Sequence, residues 1–283
     1  MYLNNQKLAF IGGDCRLLYA ANAFSDRGAE CAVFANDAHI SDEPLFTKAR
    51  TLKDALTGAA AVILPIPVSR DGYTLNAPFY HERLSVESVA KMVSSDTCLC
   101  AGLTGELFDG YDFSVLDYAL DEKFACRNAD FTAEGAISIA IDKTNVALFD
   151  AKCCVFGFGR IGKALVKRLS SFGTDLTVFA RDPKDRKFIE HLGHTAKNYP
   201  DFDACSDKWD LIFNTVPDSQ VASLYRGRSS TALIIELAGQ NAESTDIINA
   251  SSLPSVYSPK SAGILIRDTV MRSFDICRKE VIQ

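Results

Sequence analysis

Long apolar runs are missing from this chain. No stretch approaches 18 uninterrupted apolar residues, so no membrane-spanning helix is expected. The opening residues, Met1 to Gly13, lack the layout of a secretory signal and enter a strand-like pattern almost at once; a cytoplasmic location is expected. Long basic runs are missing too, and the formal net charge is −6. That excludes the electrostatic footprint of a nucleic-acid-binding protein. No CxxC pair occurs, and His39, His81, His191 and His194 are not spaced as zinc ligands, so no metal site is expected. The nine cysteines are an odd number in a cytoplasmic-looking chain, which argues against a disulfide framework. Cys98 with Cys100, and Cys153 with Cys154, sit in strand-like runs where small apolar thiols are core residues.

What is present is ample apolar material and one strong motif. The chain has 283 residues, 47% hydrophobic and 23% charged, enough for two globular domains with cores of ordinary size. The motif lies at 152–181. A short apolar run, Cys153 to Phe156, enters Gly157-Phe158-Gly159-Arg160-Ile161-Gly162. Ala164, Leu165, Leu169 and Phe172 then fall at helical spacing, Gly173 stops the helix, and a second apolar run spans Leu176 to Ala180. Strand, glycine turn, helix and strand form the context that a dinucleotide fingerprint requires. Gly157 permits the tight turn, Gly159 the approach of a pyrophosphate, and Gly162 the close packing of helix on strand. Free N–H groups at the helix start then face the phosphates.

The end of the second strand selects the cofactor. NAD sites place an acid there for the ribose 2′-hydroxyl. Here the position falls on Ala180, followed by Arg181, with Lys184, Arg186 and Lys187 beyond. An arginine fork suits a 2′-phosphate, so NADP is favoured, with NAD the alternative if Asp182 occupies the strand end. The segment Trp209 to Pro217 reads as a further strand whose end, Thr215, Val216 and Pro217, passes beside the bound nucleotide.

The first 128 residues repeat the pattern. A strand at 7–12 breaks into Gly12-Gly13-Asp14-Cys15-Arg16, a helix follows to Gly28, and Cys31 to Ala35 is a second strand. These glycines are adjacent and lack the fingerprint spacing, so a second dinucleotide site is not expected. Further strands are expected at 60–65, 97–101 and 111–118, with helices at 52–56 and 83–93. The loops at 12–16, 65–72 and 102–105 all follow strands and should share one sheet edge, where parallel sheets bind ligands. Asp130 or Thr132 is expected to cap a helix through Ile137, Ala140 and Ile141. Beyond the fingerprint, a helix is expected at 183–192, strands at 194–198, 232–237 and 255–257, and a last helix from Pro259. The expected fold class is α/β: two doubly wound, Rossmann-like domains with parallel sheets, joined by long crossing helices. The expected domains are 1–128 on the substrate side, 129–258 for NAD(P), and a helix, 259–283, packing back toward the first domain.

Several blocks resemble one family. Phe10-Ile11-Gly12-Gly13-Asp14 with Arg16, Thr132-Ala133-Glu134-Gly135-Ala136, the glycine turn, Phe213-Asn214-Thr215-Val216-Pro217 and Ser258-Pro259-Lys260-Ser261-Ala262-Gly263 are similar, in order, to the A subunit of dipicolinate synthase. The glycine turn is common to many dehydrogenases; the first two blocks are far more specific. The chain departs from the pattern at Cys15-Arg16-Leu17 and at Glu236-Leu237-Ala238-Gly239. The resemblance implies an oxidoreductase of the sporulating mother cell. With a flavoprotein-like B subunit, it would form pyridine-2,6-dicarboxylate from a dihydrodipicolinate-type precursor on a branch of the lysine pathway. A homo-oligomer is also expected.

Such a reaction transfers a hydride to NADP and releases a proton. A substrate with two carboxylates favours arginine forks: Arg16, unless it is bonded to Asp14, and Arg70. Lys260 is a candidate for carboxylate binding or proton donation, and Ser261 for carboxylate binding or capping. A terminal helix packed on the first domain would bring both to the cleft. Asp14 and Glu134 are the candidate acid–base groups, each with an ion pair or a cap as its alternative. Two other readings stand beside this one: a non-catalytic NADP-binding scaffold subunit, and an unrelated two-domain 2-hydroxy-acid or amino-acid dehydrogenase.

Overall fold

The computed structural model describes residues 6–204, 208–225, 232–239 and 247–281. The chain divides into two units, Met1–Arg127 with Ser258–Gln283, and Asn128–Tyr257.

The first unit is built from β1 (Lys7–Ile11), α1 (Cys15–Ser25), β2 (Glu30–Phe34), β3 (Thr47–Lys48), α2 (Leu52–Leu56), β4 (Ala61–Ile63), α3 (Val86–Ala90), β5 (Cys98–Ala101) and β6 (Ser114–Asp117). Its sheet is parallel throughout, in the order β3-β2-β1-β4-β5-β6. Apolar runs buried on both faces are the signature of such a sheet, and β1 and β4 are buried almost end to end. The sheet order reverses at β1 and β4, the switch point at which ligands meet a doubly wound sheet.

α4 (Glu122–Lys143) carries the chain into the second unit. There follow β7 (Lys152–Phe156), α5 (Arg160–Ser171), β8 (Asp175–Phe179), α6 (Pro183–His191), β9 (Thr195–Lys197), α7 (Asp201–Ala204), β10 (Leu211–Asn214), α8 (Ser219–Tyr225), β11 (Leu233–Glu236), β12 (Ile247–Asn249) and α9 (Leu253–Tyr257). The order β12-β11-β10-β7-β8-β9, again all parallel, repeats that of the first sheet. Alternation along the strands sorts two cores. Cys153, Val155, Leu176, Val178, Leu211 and Phe213 face α4 and α5. Cys154, Phe156, Phe179, Ile212 and Ile234 face Phe202, Trp209 and α8. In the second core Phe156 stacks on Phe179 with ring centroids 4.9 Å apart and meets Phe202 edge-on at 5.1 Å.

α10 (Pro259–Val281) returns to the first unit and packs along α1. The approach is close because Gly263 has no side chain: a Cβ there would stand 2.7 Å from that of Tyr19 and 2.8 Å from the Ala20 nitrogen.

Three expectations are corrected. The helix expected to start at Asp130 or Thr132 starts at Glu122. Its cap is Asp121, which accepts from the Phe124 amide at 2.7 Å. Thr132 instead donates to the Asn128 carbonyl from mid-helix, and Asp130 pairs with Arg168. The polar look of Asn128 to Gly135 hides an apolar stripe, Ala129, Ala133, Ala136, Ile137 and Ala140, all buried. The last strand lies at Ile247–Asn249, and 255–257 is helical. Pro254 suits the first turn of a helix, where no N–H is required, and the Ser255 amide closes that turn on the Ser252 carbonyl. Finally, the two-residue β3 and the helices α7 and α8 add to the expected elements, and the helix expected over 83–93 is confined to 86–90.

Candidate functional site

The second unit presents a glycine turn between β7 and α5. Gly157 has φ +96°, a conformation open to glycine and costly for other residues. A Cβ there would strike Thr215 Oγ1 and Val216 Cγ2. A Cβ at Gly162 would strike the Gly157 carbonyl. Gly159, the N-cap of α5, is different: among the described residues nothing crowds the place where its Cβ would be. Two glycines are thus demanded by packing and the third faces open space, as a turn that admits a pyrophosphate requires. The first turn of α5 carries no acidic residue, so its positive end is not neutralised from within. Phe158 is buried against Phe188, with Lys163 Nζ 5.3 Å from its ring centre. Arg160 is exposed at the helix start, and Ile161 packs against the core.

At the end of β8, Ala180 is buried and its amide donates to the Lys197 carbonyl, extending the ladder one residue past Phe179. Arg181 follows, exposed. Arg186 turns back and donates from Nη1 to the carbonyls of Ala180 (2.8 Å) and Arg181 (2.6 Å). Asp182, the acid that would suit a ribose diol, accepts instead from the Lys184 amide at 2.8 Å and caps α6. Burial pushes the Tyr199 hydroxyl pKa up, and the charge of Arg181 works against that shift.

At the end of β10, Thr215 fastens the next turn to the glycine turn. Its amide and its hydroxyl both donate to the Phe156 carbonyl, at 3.0 and 2.7 Å. Val216 and Pro217 continue that turn. Behind it lies a polar cluster absent from the sequence-based candidates: Asn214, Glu236 and Tyr225, all buried. The signal for it is a glutamate closing an apolar strand, Leu233 to Glu236.

In the first unit the structure brings Asp14 and Arg16 together. Arg16 is 7% exposed. Its Nε donates to Asp14 Oδ1 at 2.9 Å, and its Nη2 donates to Asp14 Oδ2 and to the Ile66 carbonyl, both at 2.8 Å. Burial works to lower the Arg16 pKa, but the Asp14 carboxylate outweighs it and holds the guanidinium charged. The fork is therefore spent on fixing the 12–16 turn against the 65–67 loop. Asp14 also caps α1 through the Arg16 amide at 3.0 Å. Arg70 is exposed on the 69–74 turn, whose Asp71 accepts from the amides of Thr74 and Tyr73. Those bonds hold the Asp71 carboxyl far below the ordinary range, with Thr74 the stronger.

Lys260, in the first turn of α10, is bonded to Asp42 at 2.7 Å, and that contact raises its pKa. The pair lines a cavity of about 330 Å³ with Tyr19, Glu43 and Arg267. Ser261 is exposed beside it in sequence. Glu134 lies in the second unit, exposed on α4, with Arg168 Nη2 at 3.0 Å.

These features define the class: an α/β protein of two doubly wound units, the second carrying a dinucleotide-type glycine turn. Residues 7–111 match the N-terminal domain of the dipicolinate synthase A subunit, and residues 126–224 match the NAD-binding domain of D-isomer-specific 2-hydroxyacid dehydrogenases. The dipicolinate synthase A subunit of Bacillus subtilis (strain 168) is 20% identical over 285 residues, covering 95% of this chain and 96% of that protein. The crystal structure of the corresponding dipicolinate synthase protein from Bacillus halodurans superposes with a TM-score of 0.80 at 20% identity, over 95% of this chain and 98% of that one. A transhydrogenase from Sinorhizobium meliloti follows at 0.68 and 13%, over 96% and 94%. At these identities the solved structures establish the fold. The resemblance to the dipicolinate synthase A subunit runs through both units, and the second unit is a nicotinamide-dinucleotide-type domain.

Proposed function

We propose that this chain is an NADP-preferring oxidoreductase subunit that works, as the dipicolinate synthase A subunit does by name, in forming pyridine-2,6-dicarboxylate. The observation that carries the proposal is the open Gly159 turn, with Arg181 directly after the buried end of β8 and Asp182 turned to capping α6. Gly157 to Gly162 and the first turn of α5 would hold the pyrophosphate, Thr215 to Pro217 would flank the ribose, and Arg181 would meet the 2′-phosphate. A bound nicotinamide dinucleotide supplies the hydride acceptor for a partly reduced, dihydrodipicolinate-type ring.

The chain's own part is to orient that ring and take the accompanying proton. Asp14, Glu134 and Lys260 are the proposed proton-handling groups, with Arg16, Arg70 and Ser261 toward the substrate carboxylates. Arg16 would act chiefly by holding the 12–16 turn, because its fork is engaged by Asp14 and Ile66.

A second reading has one observation in its favour. Each proton-handling candidate is held in an ion pair: Asp14 with Arg16, Glu134 with Arg168, Lys260 with Asp42. That arrangement suits a nucleotide-binding protein whose chemistry is completed by a flavoprotein-like B subunit. Turnover separates the two. NADP reduction by the isolated chain with dihydrodipicolinate supports the first reading; reduction only after the B subunit is added supports the second. Tighter binding of NADPH than NADH, with the difference lost in Arg181→Ala, supports the cofactor assignment. Equal binding overturns it.

A further inference from the structure

The turn that faces Gly157 is held by a buried carboxylate. Glu236 is 2% exposed at the end of β11, and among the described residues no cation pairs with it. Three donors converge on it. Asn214 Nδ2 reaches Oε1 at 3.0 Å and Oε2 at 2.9 Å, the Tyr225 hydroxyl reaches Oε2 at 2.7 Å, and the Ala238 amide reaches Oε1 at 2.9 Å. Asn214 therefore turns its NH₂ toward the two Glu236 oxygens. Both ends of that amide also meet Val216: Oδ1 accepts from the Val216 amide, and the same Nδ2 donates to the Val216 carbonyl, both at 3.1 Å. A backbone N–H can only donate, so the amide has a single orientation that satisfies both sides. One residue earlier, Thr215 is fastened to the Phe156 carbonyl, directly against Gly157.

We infer that Glu236 is a positioning residue for the nucleotide site: through Asn214 it fixes the Thr215–Val216–Pro217 turn in the shape that meets the dinucleotide. The inference rests on the nucleotide-binding reading above. It gives a role to a polar cluster enclosed in an apolar core, where buried polar groups need partners. A glutamine offers one oxygen and one NH₂ where Glu236 offers two oxygens, so at least one of the bonds donated by Asn214, Tyr225 and Ala238 is lost or reversed and Asn214 is held less firmly.

The test is titration of the full chain with NADPH, followed by fluorescence, alongside thermal melting without nucleotide. The variants are Glu236→Gln, Asn214→Ala and the double variant. Glu236→Gln is expected to weaken NADPH by about tenfold, the loss of one bond that holds the Asn214 turn. The double variant is expected to bind no more weakly than Asn214→Ala alone, because both act through one turn. Tyr225→Phe, which removes one donor and keeps the ring, is expected to weaken binding less; it carries the test if Glu236→Gln does not fold. NADPH binding by wild type with equal binding by Glu236→Gln or, in its place, Tyr225→Phe overturns the inference. So do additive losses in the double variant, or a lowered melting temperature with unchanged affinity. Failure of the wild type itself to bind NADPH overturns the nucleotide reading instead, and the inference with it.

Discussion

The two units share one strand order and one opening move, a strand running into glycines and then a helix, yet only one of them leaves room for a ligand at that turn. In the second unit the space beside Gly159 is open. In the first, a Cβ at Gly12 would lie 2.8 Å from Leu75 and one at Gly13 would lie 3.0 Å from Leu17, with Pro65 also in contact. The Gly13 amide is already bonded to the Asn76 carbonyl at 2.8 Å. The loop after β4 thus engages this turn through both packing and a backbone bond. Topology brings a switch point to both sheets; what fills it decides whether a nucleotide can enter.

Substitutions at matched positions sharpen the contrast, and the largest effect is expected where burial is deepest. Asp14→Ala leaves the Arg16 guanidinium buried against the Ile66 carbonyl without its counter-ion. Breaking such a pair costs about 3 kcal/mol or more, read as a lowered melting temperature with NADPH affinity unchanged. Gly162→Val drives a side chain into the Gly157 carbonyl and is expected to cost about 2 to 3 kcal/mol, with nucleotide binding lost as well. Gly159→Val meets open space, so its melting temperature is expected to stay near wild type while NADPH affinity collapses. Equal destabilisation by the two valine variants would break the distinction between a packing glycine and a ligand glycine. Gly12→Ala, at φ +70° and against Leu75, is expected to cost about 1 kcal/mol and leave NADPH binding intact.

The smallest effect concerns acid. Burial pushes the Asp121 carboxyl up, but the Phe124 amide and Arg272, 3.0 Å away, outweigh it and hold it below its ordinary value. A folded-state pKa below the unfolded one gives stability that is present above the ordinary carboxylate range and is lost as the pH falls through the lowered value. Melting temperatures across acid pH should therefore fall less steeply in Asp121→Asn, which keeps a capping oxygen and loses the ion pair, by an amount matching about 1 kcal/mol.

Legibility in the sequence follows the range of the interactions. The glycine turn, the strands around it and the terminal helix are readable because apolar runs and glycine spacing are local signals. The true start of α4 is not, because its cap at Asp121 is completed by Arg272, far along the chain. The edge strand at Ile247–Asn249 competes with 255–257, where an apolar pair next to Pro254 reads equally well as a strand or a short helix. Among the candidate site residues, the nucleotide set shares one local element and its neighbours. The acid–base and carboxylate-binding candidates rest on residue type, and Asp14, Arg16, Glu134 and Lys260 are each engaged in an ion pair. Glu236 shows in the sequence only as an acid closing an apolar strand; its partner Asn214 lies 22 residues away, and the pairing of β10 with β11 brings them together.

Hydrogen exchange of the full chain with and without saturating NADPH tests the contrast between the two turns most directly. The account predicts slowed exchange at the amides of 159–163 and 215–216, and no change at 12–17. Protection at 12–17, or none at 159–163 under saturation, would contradict it.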